Sequence, residues 1–251
     1  MKFFEICGVK VSVTTIPQAC AAMEDWIKNR QKAYVCVAPV STIVDCQSDP
    51  EYRDIVNKAD MVTPDGMPVV WIGKWLGHQE IERTYGPDLM ETFCGLSQDK
   101  GYKHFLYGGA ESTCQLLESV LKKRFPKISI VGRYSPPFME SFVPESREII
   151  ENMNRLDPDV IWVGLGSPKQ DYWINYHRKN LEAPVILGVG AAFDFLSGAK
   201  KQAPRWMQKS GLEWLFRLCS EPKRLWRRYL LGNTKFIFYV SRDFFSKRLF
   251  R

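Results

Sequence analysis

The sequence lacks several of the patterns by which a chain declares its chemistry. No two of its seven cysteines stand as CxxC. An odd number of thiols scattered in this way reads as reduced, mostly buried side chains of a cytosolic protein, with no disulfide and no zinc site expected. Histidine is scarce: His78, His104 and His177 have no metal-ligand spacing, and each reads as structural or solvent-facing. The uncharged stretch at residues 33–44 is too short to cross a bilayer, and Glu5 and Lys10 interrupt the N-terminal MKFFEICGVKV before an export signal forms. There is no GxxxxGK[ST] loop and no complete GxGxxG, which argues against a P-loop ATPase and a typical NAD enzyme. Internal repeats and low-complexity segments are missing as well.

What is present suits one large globular domain or a domain with an appendage: 251 residues, 45% hydrophobic and 25% charged. The net charge of +7 is unevenly spread. Residues 200–251 hold 14 Lys/Arg against Glu213, Glu221 and Asp243, while residues 1–199 hold 21 bases and 25 acids. All the positive excess therefore lies in the tail, among Trp206, Trp214, Trp226, Phe238 and Phe244, a composition that suits an anionic membrane surface or a nucleic acid.

Residues 1–199 alternate short β-rich runs with helical patterns. Strands are expected at 34–37, 60–63, 104–107, 128–132, 160–164 and 185–188, each followed by turn residues and a helix start. The alternation predicts an α/β fold with a Rossmann-like, doubly wound, mostly parallel sheet, followed over 200–251 by a basic helical C-terminal appendage. The helix expected at 111–124 carries Leu116, Leu117, Val120 and Leu121 on one face and Lys122, Lys123 and Arg124 in its last turn, where cations oppose the dipole. Pro68, Pro87 and Pro168 fall where first helical turns begin. In the tail, EPKRLWRRYLL puts Leu225, Trp226, Tyr229 and Leu230 on one helical face flanked by arginines.

In an open parallel sheet ligands bind beyond the carboxyl ends of the strands, so the strand-to-helix loops are the place to look. In TPDGMP, Asp65 is either the cap of the helix opened by Pro68 or a carboxylate kept ionised by that helix to take a proton from an alcohol. In FLYGGAES, Gly108 and Gly109 let a phosphate or base approach the backbone, or simply make a tight turn. In VGLGSPKQDYW, Gly164 and Gly166 offer backbone amides for a diphosphate at a helix start. In LGVGAAFDFLSG, Asp194 is a partner for ribose hydroxyls or a plain loop cap. Asp157-Pro158-Asp159 has the form of a DxD metal clamp, but it precedes the strand at 160–164 and reads as a turn at the amino edge of the sheet. No metal site is expected.

TPDGMPVVW, RTYGPDLM, FLYGGA, VGLGSPKQDYW, GVGAAFDFLSG and APRWMQKSGLEWLFRLCSEPKRLWRRYL, in that order, resemble the WecG/TagA/CpsF glycosyltransferases over about residues 5–232. The resemblance implies transfer of a sugar from a UDP-sugar to a saccharide carried on a polyprenyl diphosphate, with inversion and without metal or other cofactor. It implies work at the cytoplasmic face of a bacterial plasma membrane, in building cell-surface polysaccharide. By the same resemblance Asp65 is the base that deprotonates the acceptor. Gln170 and Asp194 line the nucleotide-sugar pocket, Arg83 lies near it, and Arg217, Arg224 and Arg227 belong to an appendage that closes over the site. Many members carry Thr-x-Asn where this chain has Ala38 and Val40, so an N-acetylmannosamine-type, uronic or glucose-type sugar is implied without a choice among them.

Two other classes answer to parts of the pattern. A nucleotide-dependent oxidoreductase would use a Rossmann-like sheet, but its glycine fingerprint is broken. A nucleic-acid-binding protein would use the basic tail, but here the bases alternate with large apolar residues in amphipathic fashion, and no nucleic acid is expected as a partner.

Overall fold

The structure, a computed structural model, describes residues 1–138 and 142–246. In chain order the elements are β1 (Phe3–Ile6), β2 (Val9–Ser12), α1 (Ile16–Lys28), β3 (Ala33–Ala38), α2 (Val40–Ser48), α3 (Pro50–Asn57), β4 (Met61–Pro64) and α4 (Met67–Trp75). Next come α5 (Gly86–Ser97), β5 (Lys103–Gly108), α6 (Glu111–Arg124), β6 (Ser129–Tyr134), α7 (Arg147–Arg155), β7 (Val160–Gly164), α8 (Lys169–His177), β8 (Val185–Gly188) and α9 (Ala192–Leu196). The tail forms α10 (Arg205–Lys209), α11 (Glu213–Ser220), α12 (Pro222–Trp226), a π-helical turn (Arg227–Leu231) and α13 (Gly232–Phe245). Residues 247–251 of the expected appendage lie outside the described residues.

β1 and β2 pair antiparallel, and the other six strands form a mostly parallel sheet in the order β4-β3-β8-β7-β5-β6. This is the expected α/β, Rossmann-like architecture. β7, β8 and α6 occupy the expected residues one for one, because each is bounded by its own turn and capping signals.

The chain folds as two compact units. One comprises Met1–Thr15, Ala38–Tyr85 and the segment from Gln202 onward. Its β1–β2 hairpin is not among the expected strands, since its turn is Cys7-Gly8 rather than Asn-Gly. Both residues nonetheless take the positive φ (52° and 77°) that a two-residue primed turn demands. The turn is held from α2 and α3, where the side-chain amides of Gln47 and Asn57 donate to the carbonyls of Cys7 and Gly8 at 2.8 and 2.9 Å. Asp49 caps α3 by accepting from the Tyr52 amide at 2.9 Å.

Within this unit α13 packs on α2, burying Phe236. Of the apolar residues expected on one face of EPKRLWRRYLL, Leu225 is buried while Trp226 and Leu230 are exposed. A π turn over Arg227–Leu231 follows and interrupts the 3.6-residue register beyond Trp226.

The second unit comprises Ile16–Val37 and Gly86–Lys201. Its core is aromatic, with Tyr34, Phe93, Tyr107, Trp162, Trp173 and Phe193 fully buried. On α6, Cys114, Leu117 and Leu121 face inward, and Leu116 is exposed, contrary to its expected place on the buried face. A buried stripe spaced i, i+3, i+7 runs through Cys114 and leaves position 116 a third of a turn away. His104 is a core residue. Its Nδ1 accepts from Trp162 Nε1 at 2.9 Å, its Nε2 lies 2.7 Å from Ser97 Oγ, and burial lowers its pKa to about 3, so it is a neutral ring. Burial likewise lowers His177 to about 4, where Nε2 accepts from the Glu145 amide at 3.1 Å. The Asp157-Pro158-Asp159 turn stands before β7 as read. Asp157 pairs with Arg30 and Lys103, each at 3.1 Å, and Asp159 accepts from the Lys103 amide at 2.8 Å. Six of the seven cysteines are buried. Among the described residues no helix is long and apolar enough to cross a membrane.

Candidate active site

Asp65 follows the last residue of β4. The residue that caps α4 is Gly66, and no side chain caps that helix. The capping role that the sequence allowed for Asp65 is thereby removed. Its backbone is tied down on both sides: the Asp65 amide donates to Ala38 O at 3.4 Å, and the Asp65 carbonyl accepts from Arg83 Nε. The neighbouring bond from the Thr84 amide to Pro64 O, 2.9 Å, sets residues 83–85 alongside. The Asp65 side chain is 16% exposed, and its buried Oδ1 has no hydrogen-bond partner among the described residues. A buried carboxylate oxygen left unbonded costs on the order of 1–3 kcal/mol, a cost that folds retain at working sites.

Arg83 is the nearest positive charge, with Nη2 3.7 Å from Asp65 Oδ1. The same Nη2 donates to Glu213 at the start of α11, and Nη1 reaches Gln208 Oε1 of α10 at 3.5 Å. The guanidinium lies over the Tyr85 ring, 4.0 Å from its centre, and Tyr85 Oη donates to the other Glu213 oxygen at 3.0 Å. Burial opposes the charge of Arg83, but Asp65 and Glu213 outweigh it and raise the guanidinium's pKa further. Tyr85 is pushed up by burial and by Glu213, so it remains a phenol that only donates here.

Four charges act on the Asp65 carboxyl. Burial raises its pKa, Arg83, Arg217 and Arg228 pull it down, Glu213 pushes it up, and together they leave it at about 6. The net result is a carboxylate that is ionised at neutral pH yet basic enough to accept a proton, which refines the expectation that a helix terminus alone would keep it ionised. Arg228 is braced by two hydrogen bonds to Ser41 Oγ at the start of α2, 2.7 and 3.2 Å. Tyr229 is raised by burial and lies within the field of Arg217, Arg228, Glu213 and Asp65.

The structure therefore brings together Asp65, Arg83 and Arg217 of the expected residues. Arg224 instead pairs with Glu221 through two bonds of 2.6 and 2.7 Å, and Arg227 lies 5.3 Å over the Trp226 ring. Neither is among the charges acting on Asp65. Sequence reasoning missed Tyr85, Arg228, Ser41 and Glu213. A signal existed for the last: Glu213 is one of three acids in a tail with 14 bases. None existed for preferring Arg228 to its neighbour Arg227; both lie in the π turn.

In the second unit the expected loops stand at the carboxyl ends of β5, β7 and β8. Gly108, at φ +110°, ends β5, and a Cβ there would sit 2.9 Å from the Gly164 backbone, so only glycine allows the two strand ends to approach. Gly109 continues the turn at φ +71°, against Phe193. The loop after β7 is held by Gln170, which is buried: its Oε1 accepts from the Gly166 amide at 3.1 Å and its Nε2 lies 3.2 Å from Ser167 Oγ. The Gly166 amide expected to face a diphosphate is thus engaged by Gln170. Asp194, in the first turn of α9, pairs with Lys200 at 2.9 Å.

A basic carboxylate beside guanidinium groups can take a proton from a hydroxyl and stabilise an anionic leaving group. The chain matches, over residues 4–249, the family described as Glycosyl transferase WecG/TagA/CpsF. It is 30% identical over 205 residues to an N-acetylglucosaminyldiphosphoundecaprenol N-acetyl-beta-D-mannosaminyltransferase of Bacillus spizizenii, covering 82% of this chain and 77% of that one. Similar proteins of the same name occur in Bacillus subtilis, 29% identical over 202 residues (80% and 76% covered), and in Staphylococcus aureus strain MW2, 27% identical over 225 residues (89% and 87% covered).

Proposed function

The chain belongs to the WecG/TagA/CpsF family of glycosyltransferases, and on that premise we propose that it moves an N-acetylmannosamine-type sugar from a UDP-sugar to N-acetylglucosamine on a polyprenyl diphosphate, in bacterial cell-surface polysaccharide synthesis. The observation that carries the reading is Asp65, buried, raised to about 6 and facing Arg83, Arg217 and Arg228. Asp65 takes the acceptor hydroxyl proton as the acceptor oxygen bonds to the sugar's anomeric carbon. The bond from that carbon to the diphosphate breaks with its electron pair, and UDP departs as an anion. One displacement from the opposite face inverts the anomeric centre. Guanidinium groups supply the positive potential on the diphosphate, so no metal is required. From the family resemblance, Gly108, Gly109, Gly164 and Asp194 are proposed to hold the donor's ribose and diphosphate, with Gly166 and Gln170, bonded to each other, shaping the loop after β7; Arg217 and Arg228 are proposed to supply positive charge beside Asp65.

A panel of UDP-sugars assayed with a short-chain polyprenyl-diphosphate N-acetylglucosamine, with and without excess EDTA, tests this reading. One UDP-N-acetylhexosamine should support transfer at an undiminished rate in EDTA. A strict manganese requirement would overturn the metal-free mechanism, and thermal stabilisation by NAD but not by UDP would return the chain to the oxidoreductase class.

The same reading places the enzyme at the inner face of the plasma membrane through its tail. The support is a set of exposed apolar side chains, Trp206, Trp226, Leu231, Ile237, Phe238 and Phe245, set among the tail's bases. Near an anionic surface each base contributes about 1 kcal/mol. The full chain should sediment with vesicles containing anionic lipid, lose that binding in high salt, and ignore vesicles of neutral lipid. Equal binding to both vesicle types, or to neither, would refute the electrostatic docking.

A further inference from the structure

The proposed reaction leaves Glu213 without a task, yet both oxygens of its carboxylate are engaged. It is 13% exposed, one oxygen accepts from Arg83 and the other from Tyr85. Arg83 is shared unequally between two carboxylates. Toward Glu213 it makes a direct hydrogen bond, whereas its closest approach to Asp65 Oδ1 is 3.7 Å, beyond hydrogen-bonding distance. The rest of the guanidinium is committed elsewhere: Nε to the Asp65 carbonyl, Nη1 toward Gln208, and the flat face to the Tyr85 ring. Gln208 is itself fixed by a 2.8 Å bond to Ala203 O. Two groups from the tail, on α10 and α11, therefore engage Arg83, while Asp65 Oδ1 is left unbonded.

Arginine and carboxylate side chains frequently form bidentate pairs. Tyr85 and the Asp65 carbonyl hold part of the guanidinium, and the carboxylate that competes for Nη2 comes from the tail. We propose that Glu213 is a positioning residue that draws Arg83 off Asp65, so that seating of α10 and α11 is what leaves Asp65 free to act as base. With the tail seated, Glu213 takes the arginine and adds a second negative charge nearby. With the tail withdrawn, Arg83 turns onto Asp65 and holds it as an ion pair, a poor proton acceptor. The groups facing Asp65 are Arg83 and Tyr85 from its own side, Glu213 and Arg217 from α11, and Arg228 and Tyr229 from the π turn. Among them Glu213 is the acid whose loss both removes a negative charge and releases a positive one. The role of Asp65 as base is taken from the proposed function; the competition for Arg83 stands without it.

The test is titration of the Asp65 carboxyl by carbon-13 NMR in the full-length protein, the signal assigned by its loss in Asp65→Asn. Glu213→Gln should lower the midpoint by roughly one unit or more. Glu213→Asp, which keeps the charge but withdraws it by one methylene, should titrate between the two and carries the test alone if the Gln variant does not fold. The acid limb of the pH–rate profile should shift in the same direction. An Asp65 midpoint unchanged or raised in these variants overturns the inference, even if their activity falls. A lowered midpoint with no shift of the rate profile would support the competition for Arg83 and instead count against Asp65 as the base.

Discussion

Asp65→Asn is expected to lower turnover by roughly 10²–10⁴, the range for a lost general base, while UDP binding stays close to wild type. Asparagine has nearly the same shape and accepts the same backbone contacts, so the change removes the proton-accepting charge and little else. With a carboxyl titrating at about 6, the wild-type rate should rise as pH passes through that region and level off above pH 7, and the variant's residual rate should lack this limb. The stability consequence has the opposite sense. The folded pKa of Asp65 is raised above its ordinary value of 3.8, so the folded state holds the proton more tightly than the unfolded chain. Its contribution is fully present below about pH 4 and is lost as pH rises through 6, amounting to roughly 2–3 kcal/mol by pH 8. The Asn variant should therefore melt higher than wild type at pH 8, with the difference closing as pH falls to 4. A variant that turns over normally would end the assignment of Asp65 as base. One that melts lower at pH 8 would show that the charge stabilises the fold rather than straining it.

Changing both Arg217 and Arg228 to Ala should cost about as much. These arginines act on Asp65 directly, and in the proposed reaction they supply positive charge for the departing diphosphate; loss of one preorganised donor costs roughly 10²–10³ in rate. Arg228 is also held rigid by Ser41, so it brings a guanidinium already oriented rather than one that must be ordered by substrate. The measurement needs a short, water-soluble acceptor, so that loss of membrane docking cannot imitate loss of catalysis. Undiminished transfer in that assay would confine the two residues to docking. Arg224→Ala and Arg227→Ala, in the same assay, test the residues assigned from the family resemblance. Their effect should be smaller while Arg224 remains paired with Glu221 and Arg227 with the Trp226 ring, and a larger effect would mean that the tail rearranges on binding donor.

The sequence by itself determined what depends on neighbours within a turn or a strand. β7, β8 and α6 were legible because hydrophobic period, turn residues and terminal charges agree locally. Asp65 was legible as a residue placed just beyond a strand, and the crowding of positive charge into the tail could be counted directly. The tertiary structure decided matters of a different kind. The two readings of Asp65, cap or working group, separated only when Gly66 was found at the cap position. Arg228 lies in a π turn that no 3.6-residue pattern anticipates. Arg83 meets Glu213 across 130 residues of chain, and Tyr85 meets it across 128. The basicity of Asp65 has the same origin: it follows from burial and from charges on several separate segments, and local sequence carries no record of what a distant segment will bring alongside.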